Sequence, residues 1–222
     1  DLRLRTPIER ITTGDRGLVL RTAAGDVAAG AVVITSPANT AAEILASVSP
    51  AASKLLASID HASVALLTLV YEVADVPVPL DASGVLLPRG TAHATTAISW
   101  GSTKWSHWND GRHVVLRASV GHDGDERGHT WSDSQLLDAV RADLQQVMGI
   151  TAAPAASRIT RWVDGFPQYR PGHDQLVERI RQHLLADVPS IAVAGMAYEG
   201  VGIPASIGSA RRAVERLVEQ PR

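Results

Sequence analysis

The stretch Ile191-Ala192-Val193-Ala194-Gly195-Met196-Ala197-Tyr198-Glu199-Gly200-Val201-Gly202-Ile203-Pro204 constrains this chain more than any other. Its small and branched apolar residues read as a short buried strand. A glycine-bearing loop follows, and Pro204 fixes the start of a helix, where its missing N–H is harmless. The first amides of that helix have no intrahelical acceptors, so they can face an anion or an electron-rich ligand edge, with the helix dipole behind them. Gly200 and Gly202 would let a flat ligand approach the backbone closely. Ser206 and Ser209 add hydroxyls, although an inward Ser209 can bond its own helix. The plainer reading is that the glycines serve turn geometry and Pro204 serves helix geometry. This is not a phosphate-binding loop: Gly-Lys-Ser/Thr and Gly-x-Gly-x-x-Gly are both missing between strand and helix.

Elsewhere the pattern alternates between strand and helix. Leu2-Arg3-Leu4-Arg5 alternates like a strand. Leu18 and Leu20 share one side of a run, Ala24-Gly25-Asp26 supplies a turn, and a partner run from Val27 ends in Val32-Val33-Ile34 before Ser36-Pro37 stops it. Asn39 is the expected cap of one short helix, and Ser49 of a second that opens on Pro50. From residue 63 the chain reads as strands with long loops: 63–72, 84–88, 95–100, 114–120 and 159–163. Leu86 and Ile98 are expected in their core. Ser132 and Gln135 form a capping box for a helix whose Leu136, Val140, Leu144 and Met148 make one apolar stripe, closed by Gly149. A second amphipathic helix covers about residues 174–185. The last helix carries Ile207, Ala210, Val214 and Leu217 on its expected buried side.

Composition narrows the function classes. Hydrophobic residues make up 45% and charged residues 20% of 222, with a formal net charge of -2. That supports a folded core and not disorder, and it lacks the basic surface that nucleic-acid binding needs. With no cysteine, disulfides, thiolate catalysis and cysteine metal sites are excluded, which fits a reducing, cytoplasmic setting. The apolar runs are too short to span a bilayer, leaving surface association open. The chain opens at Asp1 without methionine, so it reads as an excised piece of a longer protein or a processed chain. His93, His107, His113, His122 and His129 lack metal-ligand spacing, and Asp123, Asp125 and Glu126 fit a solvated turn better than a calcium loop. Neither a Ser-His-Asp nor a Cys-His constellation stands out. Trp100, Trp105, His107 and Trp108 fit a substrate pocket, core packing or a membrane-facing loop. Arg89, Arg112 and Arg117 are candidates for carboxylate recognition by location alone, whereas Arg211 and Arg212 read as a solvated helix face.

Three stretches, in order, resemble the porphyrinogen oxidases of the amine oxidase-like flavoprotein superfamily. They are Thr6-Pro7-Ile8-Glu9-Arg10; Arg161-Trp162 with Pro167-Gln168-Tyr169-Arg170-Pro171-Gly172-His173; and Ala197-Tyr198-Glu199-Gly200-Val201-Gly202-Ile203-Pro204. The similarity runs over about residues 1–219. It implies the C-terminal half of a bacterial protoporphyrinogen or coproporphyrinogen oxidase, an α+β fragment of a two-domain FAD-dependent α/β fold with an antiparallel-sheet substrate domain. Residues 1–60 would be part of the FAD-binding domain, 61–170 the substrate-binding domain, and 171–222 the closing part of the FAD-binding domain. By resemblance, Ile8 lies near the adenine end of FAD and Trp162 close to the isoalloxazine. Val201, Gly202 and Ile203 present backbone to its pyrimidine side. Tyr169 and Tyr198 orient flavin or substrate, or simply pack, and His173 anchors a helix. Neither a catalytic acid or base nor a metal ligand is implied. Ala210 after Ser209, where the family has glycine, and Ala205-Ser206, where an Asp-Cys pair is common, depart from the pattern.

The activity so implied is FAD-dependent oxidation of a porphyrinogen to a porphyrin in heme biosynthesis, with oxygen as the expected acceptor. Coproporphyrinogen III is the preferred substrate and protoporphyrinogen IX the alternative. Another amine oxidase-like flavoenzyme and a noncatalytic ligand-binding domain remain as other readings. The expected partners are the porphyrinogen, oxygen and a missing N-terminal FAD-binding half, with contact to a membrane surface or another heme-pathway enzyme left open. Without a dinucleotide fold for the FAD pyrophosphate, this chain alone is expected to hold little FAD and to be inactive.

Overall fold

In the computed structural model, which describes residues 1–14 and 17–219, the buried side chains collect into separate cores. Asp1–Asp60 and Pro167–Arg222 make one unit, and His61–Phe166 makes the other. The chain leaves and rejoins the first unit at one place. There Gln168 N–H donates to Asp60 O at 2.8 Å, and Arg170 Nε pairs with Asp60 at 3.0 Å. These bonds place residues 167–170, which the sequence reading assigned to the middle segment, with the first unit.

The first unit begins with strands β1 (Arg10–Gly14), β2 (Gly17–Arg21), β3 (Val27–Ala29) and β4 (Val32–Ile34), then helices α1 (Ala38–Leu45) and α2 (Pro50–Ala57). Strands β1, β2 and β3 form an antiparallel sheet that buries Ile11 and Leu18. The expected turn between β2 and β3 is present, with Gly25 at φ 117°. The run 27–34 does not stay in one sheet: after Gly30, β4 leaves to pair elsewhere. Residues 2–5 are not a strand, because Arg5 turns at φ 54° and Leu2 and Leu4 stay exposed. Asn39 is not a cap. Pro37 starts α1, its carbonyl accepting Ala41 N–H at 2.9 Å, and Asn39 sits inside the helix with Oδ1 on Thr40 N–H. Ser49 does precede α2, with Pro50 first in the helix, but its buried hydroxyl donates to Asp187 Oδ2 at 2.6 Å instead of capping amides.

The second unit holds β5 (His61–Glu72), β6 (Gly84–Leu86), β7 (Thr95–Trp100), α3 (Gly101–Lys104), β8 (His113–Val120), α4 (Arg127–Thr130), α5 (Asp133–Met148) and β9 (Ala156–Pro167). The sheet order is β6-β7-β8-β5-β9. Period-two alternation buries Ala65, Leu67, Leu69 and Tyr71 of β5 beside Val114, Leu116, Ala118 and Val120 of β8. The stripe Leu136, Val140, Leu144 and Met148 of α5 belongs to the same core. Each such side chain contributes roughly 1.5–3 kcal/mol. The capping box is formed, with Ser132 N–H donating to Gln135 Oε1 at 2.9 Å, and Gly149 closes α5 at φ 68°. Buried Asp143 accepts Ala94 and Thr95 N–H at 3.0 and 2.7 Å and pairs with His93 at 3.0 Å, tying α5 to β7. Leu86 is exposed whereas Ile98 is core, so only the second joins the apolar interior.

Returning to the first unit, the chain forms α6 (His173–Asp187), β10 (Ile191–Val193) and α7 (Ile203–Glu219). β10 pairs in parallel with β4, Ile191 opposite Val32 and Val193 opposite Ile34. Ile191 and Val193 share the core of α1, α2 and α6, while Ala192 and Ala194 pack with Ala213 of α7. The expected buried side of α7 needs correction. Ala210 and Leu217 do pack inward, but Ile207 and Val214 are 51% and 50% exposed. The most buried positions are instead Ser209 and Ala213, small side chains on the face that packs on Ala192 and Ala194.

Candidate functional site

The loop between β10 and α7 is held by neighbours on several sides. Ala194 N–H donates to Ile34 O at 3.0 Å, and Gly195 N–H to the buried Ser209 Oγ at 3.2 Å. Ser209 thus braces the loop from the helix. Tyr169 spans the loop's far part: its hydroxyl donates to Met196 O and accepts from Gly200 N–H, each at 2.7 Å. The Tyr169 ring stacks on His173 at 3.9 Å and 14°. His173, itself buried, places Nε2 3.0 Å from Ala197 O. Partial burial foremost raises the Tyr169 pKa, so the phenol stays protonated as this bonding requires. Tyr198 is fully buried, and burial pushes its phenol up strongly.

Glu199 fixes the last part of the loop. Arg181 of α6 and Arg212 of α7 both bond its carboxylate, Arg212 Nε at 3.0 Å. Partial burial opposes ionisation, but the bonds and charges of Arg212 and Arg181 outweigh it and hold the carboxyl below its ordinary value. Arg212 is therefore a loop anchor and not part of a merely solvated face. Gly200 sits at φ 121°, and an added Cβ would come within 2.9 Å of Ala205 Cβ. Both conditions demand glycine.

What this scaffold leaves outward is Val201, Gly202 and Ile203. Val201 is 57% and Ile203 78% exposed. Gly202 O accepts Ser206 N–H at 2.9 Å, the first bond of the helix. A Cβ added at Gly202 meets nothing nearer than Pro204 Cδ at 3.8 Å, so the fold itself does not require glycine there. The arrangement is a rigid backbone corner with apolar side chains outward and a helix start behind it, suited to a flat, electron-rich ligand.

The other expected site residues lie on other elements. Ile8 is half-buried against the first unit's core, ahead of β1. Trp162 belongs to the second unit, on β9, and is 54% exposed. β9 bends just beyond it, where Asp164 adopts φ 47° and its N–H donates to Ser63 Oγ at 2.9 Å. Arg161 is structural, bonding Asp133 at 2.5 Å and Trp131 O at 2.8 Å. The tryptophans do not share one environment: Trp100 is buried, Trp105 and Trp108 exposed. Asp125 pairs with Arg127 through two bonds of 2.8 Å, making the acidic loop a salt-bridged turn. Among the described residues no helix is long and apolar enough to cross a membrane.

The candidate site is thus a strand–loop–helix corner in a chain that has, among the described residues, one parallel strand pair and an antiparallel sheet unit. The chain belongs to the flavin containing amine oxidoreductase family, which it matches over residues 1–218. It is 34% identical over 151 residues to coproporphyrinogen III oxidase of Bacillus subtilis, covering 68% of this chain and 32% of that protein. With the coproporphyrinogen III oxidase of Mycobacterium bovis the identity is 40% over 137 residues, 62% of this chain and 29% of that one. The matched stretch is thus about a third of these relatives' length. A solved protein from Exiguobacterium sp. 255-15, provisionally assigned as a protoporphyrinogen oxidase, superposes with TM-score 0.85 at 34% identity over 98% of this chain and 48% of its own. A putrescine oxidase variant shares the fold, with TM-score 0.67 at 16% identity.

Proposed function

We propose that this chain is the C-terminal half of an FAD-dependent porphyrinogen oxidase of heme biosynthesis, and that residues 195–203 form its flavin-facing wall. The observation that carries the reading is the braced loop, which exposes Val201, Gly202 and Ile203 at the start of α7 in a chain of a flavin family. The names of the relatives at 34% and 40% identity support the substrate class. The first unit, residues 1–60 with 167–222, is assigned to the FAD-binding domain, and the second, residues 61–166, to the substrate-binding domain.

The residues present fit a flavin. The room above Gly202 is space that any side chain would fill, and Val201 and Ile203 are apolar neighbours for a flat ring. Bound FAD supplies the acceptor for hydride equivalents, and oxygen takes them onward. Tyr169, His173 and Glu199 hold the wall still, and amides at the start of α7 favour negative charge beside it. Ile8 is assigned to the adenine end and Trp162 to the isoalloxazine. No acid or base of this chain is assigned: its part is alignment and exclusion of competing reactions.

Coproporphyrinogen III is the preferred substrate and protoporphyrinogen IX the second, in a cytoplasmic setting with contact to a membrane surface left open. The deciding experiment reconstitutes the full-length parent with FAD and follows porphyrin formation by absorbance from each substrate. A higher kcat/KM for coproporphyrinogen III is expected. Turnover of amines but of no porphyrinogen would move the protein to another branch of the family. Turnover of neither would favour a noncatalytic binding role.

A further inference from the structure

The sheet of the second unit has two unlike faces. Leu67, Leu69, Leu116 and Ala118 turn toward the core that holds α5. Alternate residues point the other way, and there Thr68 of β5, Arg117 of β8 and Ser99 of β7 stand in one row. Arg117 lies directly opposite Thr68 on one flank and Ser99 on the other. Side chains so paired have Cβ atoms about 4.5–5.5 Å apart. Lys104, at the end of α3, reaches the same row, its Nζ donating to Ser99 Oγ at 2.9 Å.

Every polar group in this row can donate. The half-buried Arg117 guanidinium makes, among the described residues, neither an ion pair nor a side-chain hydrogen bond. The Thr68 hydroxyl is likewise unused among them. Ser99 Oγ accepts from Lys104, so its own proton is free for an acceptor. Lys104, like Arg117, pairs with no described carboxylate. Two like charges about one hydroxyl repel each other, and a bound carboxylate turns that repulsion into attraction. The guanidinium fork matches the two oxygens of a carboxylate. Leu66, Val70 and Val115 beside the row are half-buried and apolar, which suits an acid carried on a large apolar body. The other two arginines considered for carboxylate recognition have different surroundings. Arg89 lies in the exposed loop after β6, and Arg112 in an exposed turn that already holds the carboxylate of Asp110.

We infer that Arg117, Lys104, Ser99 and Thr68 form a carboxylate subsite, and that it receives one of the two carboxylates that coproporphyrinogen III has and protoporphyrinogen IX lacks. A vinyl group placed there leaves both cations unpaired. The subsite therefore discriminates by what it leaves unsatisfied as well as by what it binds. The identity of the acid rests on the porphyrinogen reading; the subsite itself rests on the row of donors.

The test uses the full-length parent loaded with FAD. Fluorescence titration follows binding of coproporphyrin III and protoporphyrin IX, the oxidised macrocycles that keep the peripheral groups of the two porphyrinogens. Arg117→Gln should lower the ratio of coproporphyrin III to protoporphyrin IX affinity about tenfold or more, and Lys104→Gln about threefold or more. The ratio of kcat/KM for the two porphyrinogens should fall in step, through KM. The Tm of the 222-residue chain should be unchanged by either substitution, since neither side chain pairs with a described carboxylate. A Tm lowered by Arg117→Gln would leave Lys104→Gln, at an exposed position, to decide by the same ratio. An unchanged affinity ratio would overturn the inference, whether both affinities hold or both fall together. Turnover of porphyrinogens with that ratio unchanged removes the subsite alone. A shifted binding ratio without turnover keeps the subsite and ends the oxidase reading. A parent that binds neither porphyrin would end both.

Discussion

Two glycines two residues apart carry opposite meanings. Gly200 is demanded by the fold: it lies at φ 121°, and any Cβ would press on Ala205. Gly200→Ala should lower stability by about 1–3 kcal/mol, read as a drop in Tm of the chain alone. Gly202 has open space around it, so Gly202→Ala should leave that Tm unchanged yet reduce FAD occupancy of the full-length parent. A normal flavin content in that variant would remove Gly202 from the wall. Tyr169→Phe keeps the ring on His173 but deletes the hydroxyl between Met196 and Gly200. Each lost bond is worth about 0.5–1.5 kcal/mol, and hydrogen exchange at the Gly200 amide should quicken markedly. From the sequence, Tyr169 either orients flavin or substrate or packs, and His173 anchors a helix. Their joint role follows from a stack across one turn, which residue types alone do not announce.

The elements show where acid and packing act. The folded state binds a proton at Glu199 less readily than the unfolded chain does, since Arg212 and Arg181 favour the carboxylate despite its partial burial. Its contribution is therefore complete above the ordinary carboxyl value of 4.5 and is lost as pH falls through the lower folded value. Glu199→Gln should flatten the acid limb of a Tm-versus-pH curve; an unchanged limb would show that the pair contributes nothing. In α5 the stripe was legible from spacing, and Leu144 lies at its fully buried centre. Leu144→Ala should cost about 2–5 kcal/mol in thermal or denaturant unfolding. α7 was legible as a helix but not in its orientation. Apolar spacing favoured Ile207 and Val214 as core, whereas Ser209 and Ala213 are the fully buried positions, with Ala210 and Leu217 packed beside them.

At the scale of the molecule, the chain joins two units that do not follow its linear order, since residues after Pro167 return to the unit begun by Asp1. Among its described residues the first unit contains one parallel strand pair, and its sequence holds neither a Gly-x-Gly-x-x-Gly turn nor a Gly-Lys-Ser/Thr. The isolated chain should therefore purify without stoichiometric flavin; a full flavin absorbance spectrum on the pure chain would contradict this. By itself the sequence determined the elements with strong periodicity or fixed backbone chemistry: the strand 95–100, the capping box and αL glycine of α5, and the proline-led start of the last helix. These depend on neighbours a few residues away, whose geometry is local. Only the tertiary structure decided that 27–34 splits between two sheets and that Asn39 and Ser49 forgo their caps. It also decided that Glu199 draws in two arginines and that Tyr169 and His173 lock a loop more than twenty residues away. Those outcomes turn on which surfaces meet after the chain returns to its first unit, and pairing across such sequence distances is set by packing and not by local pattern.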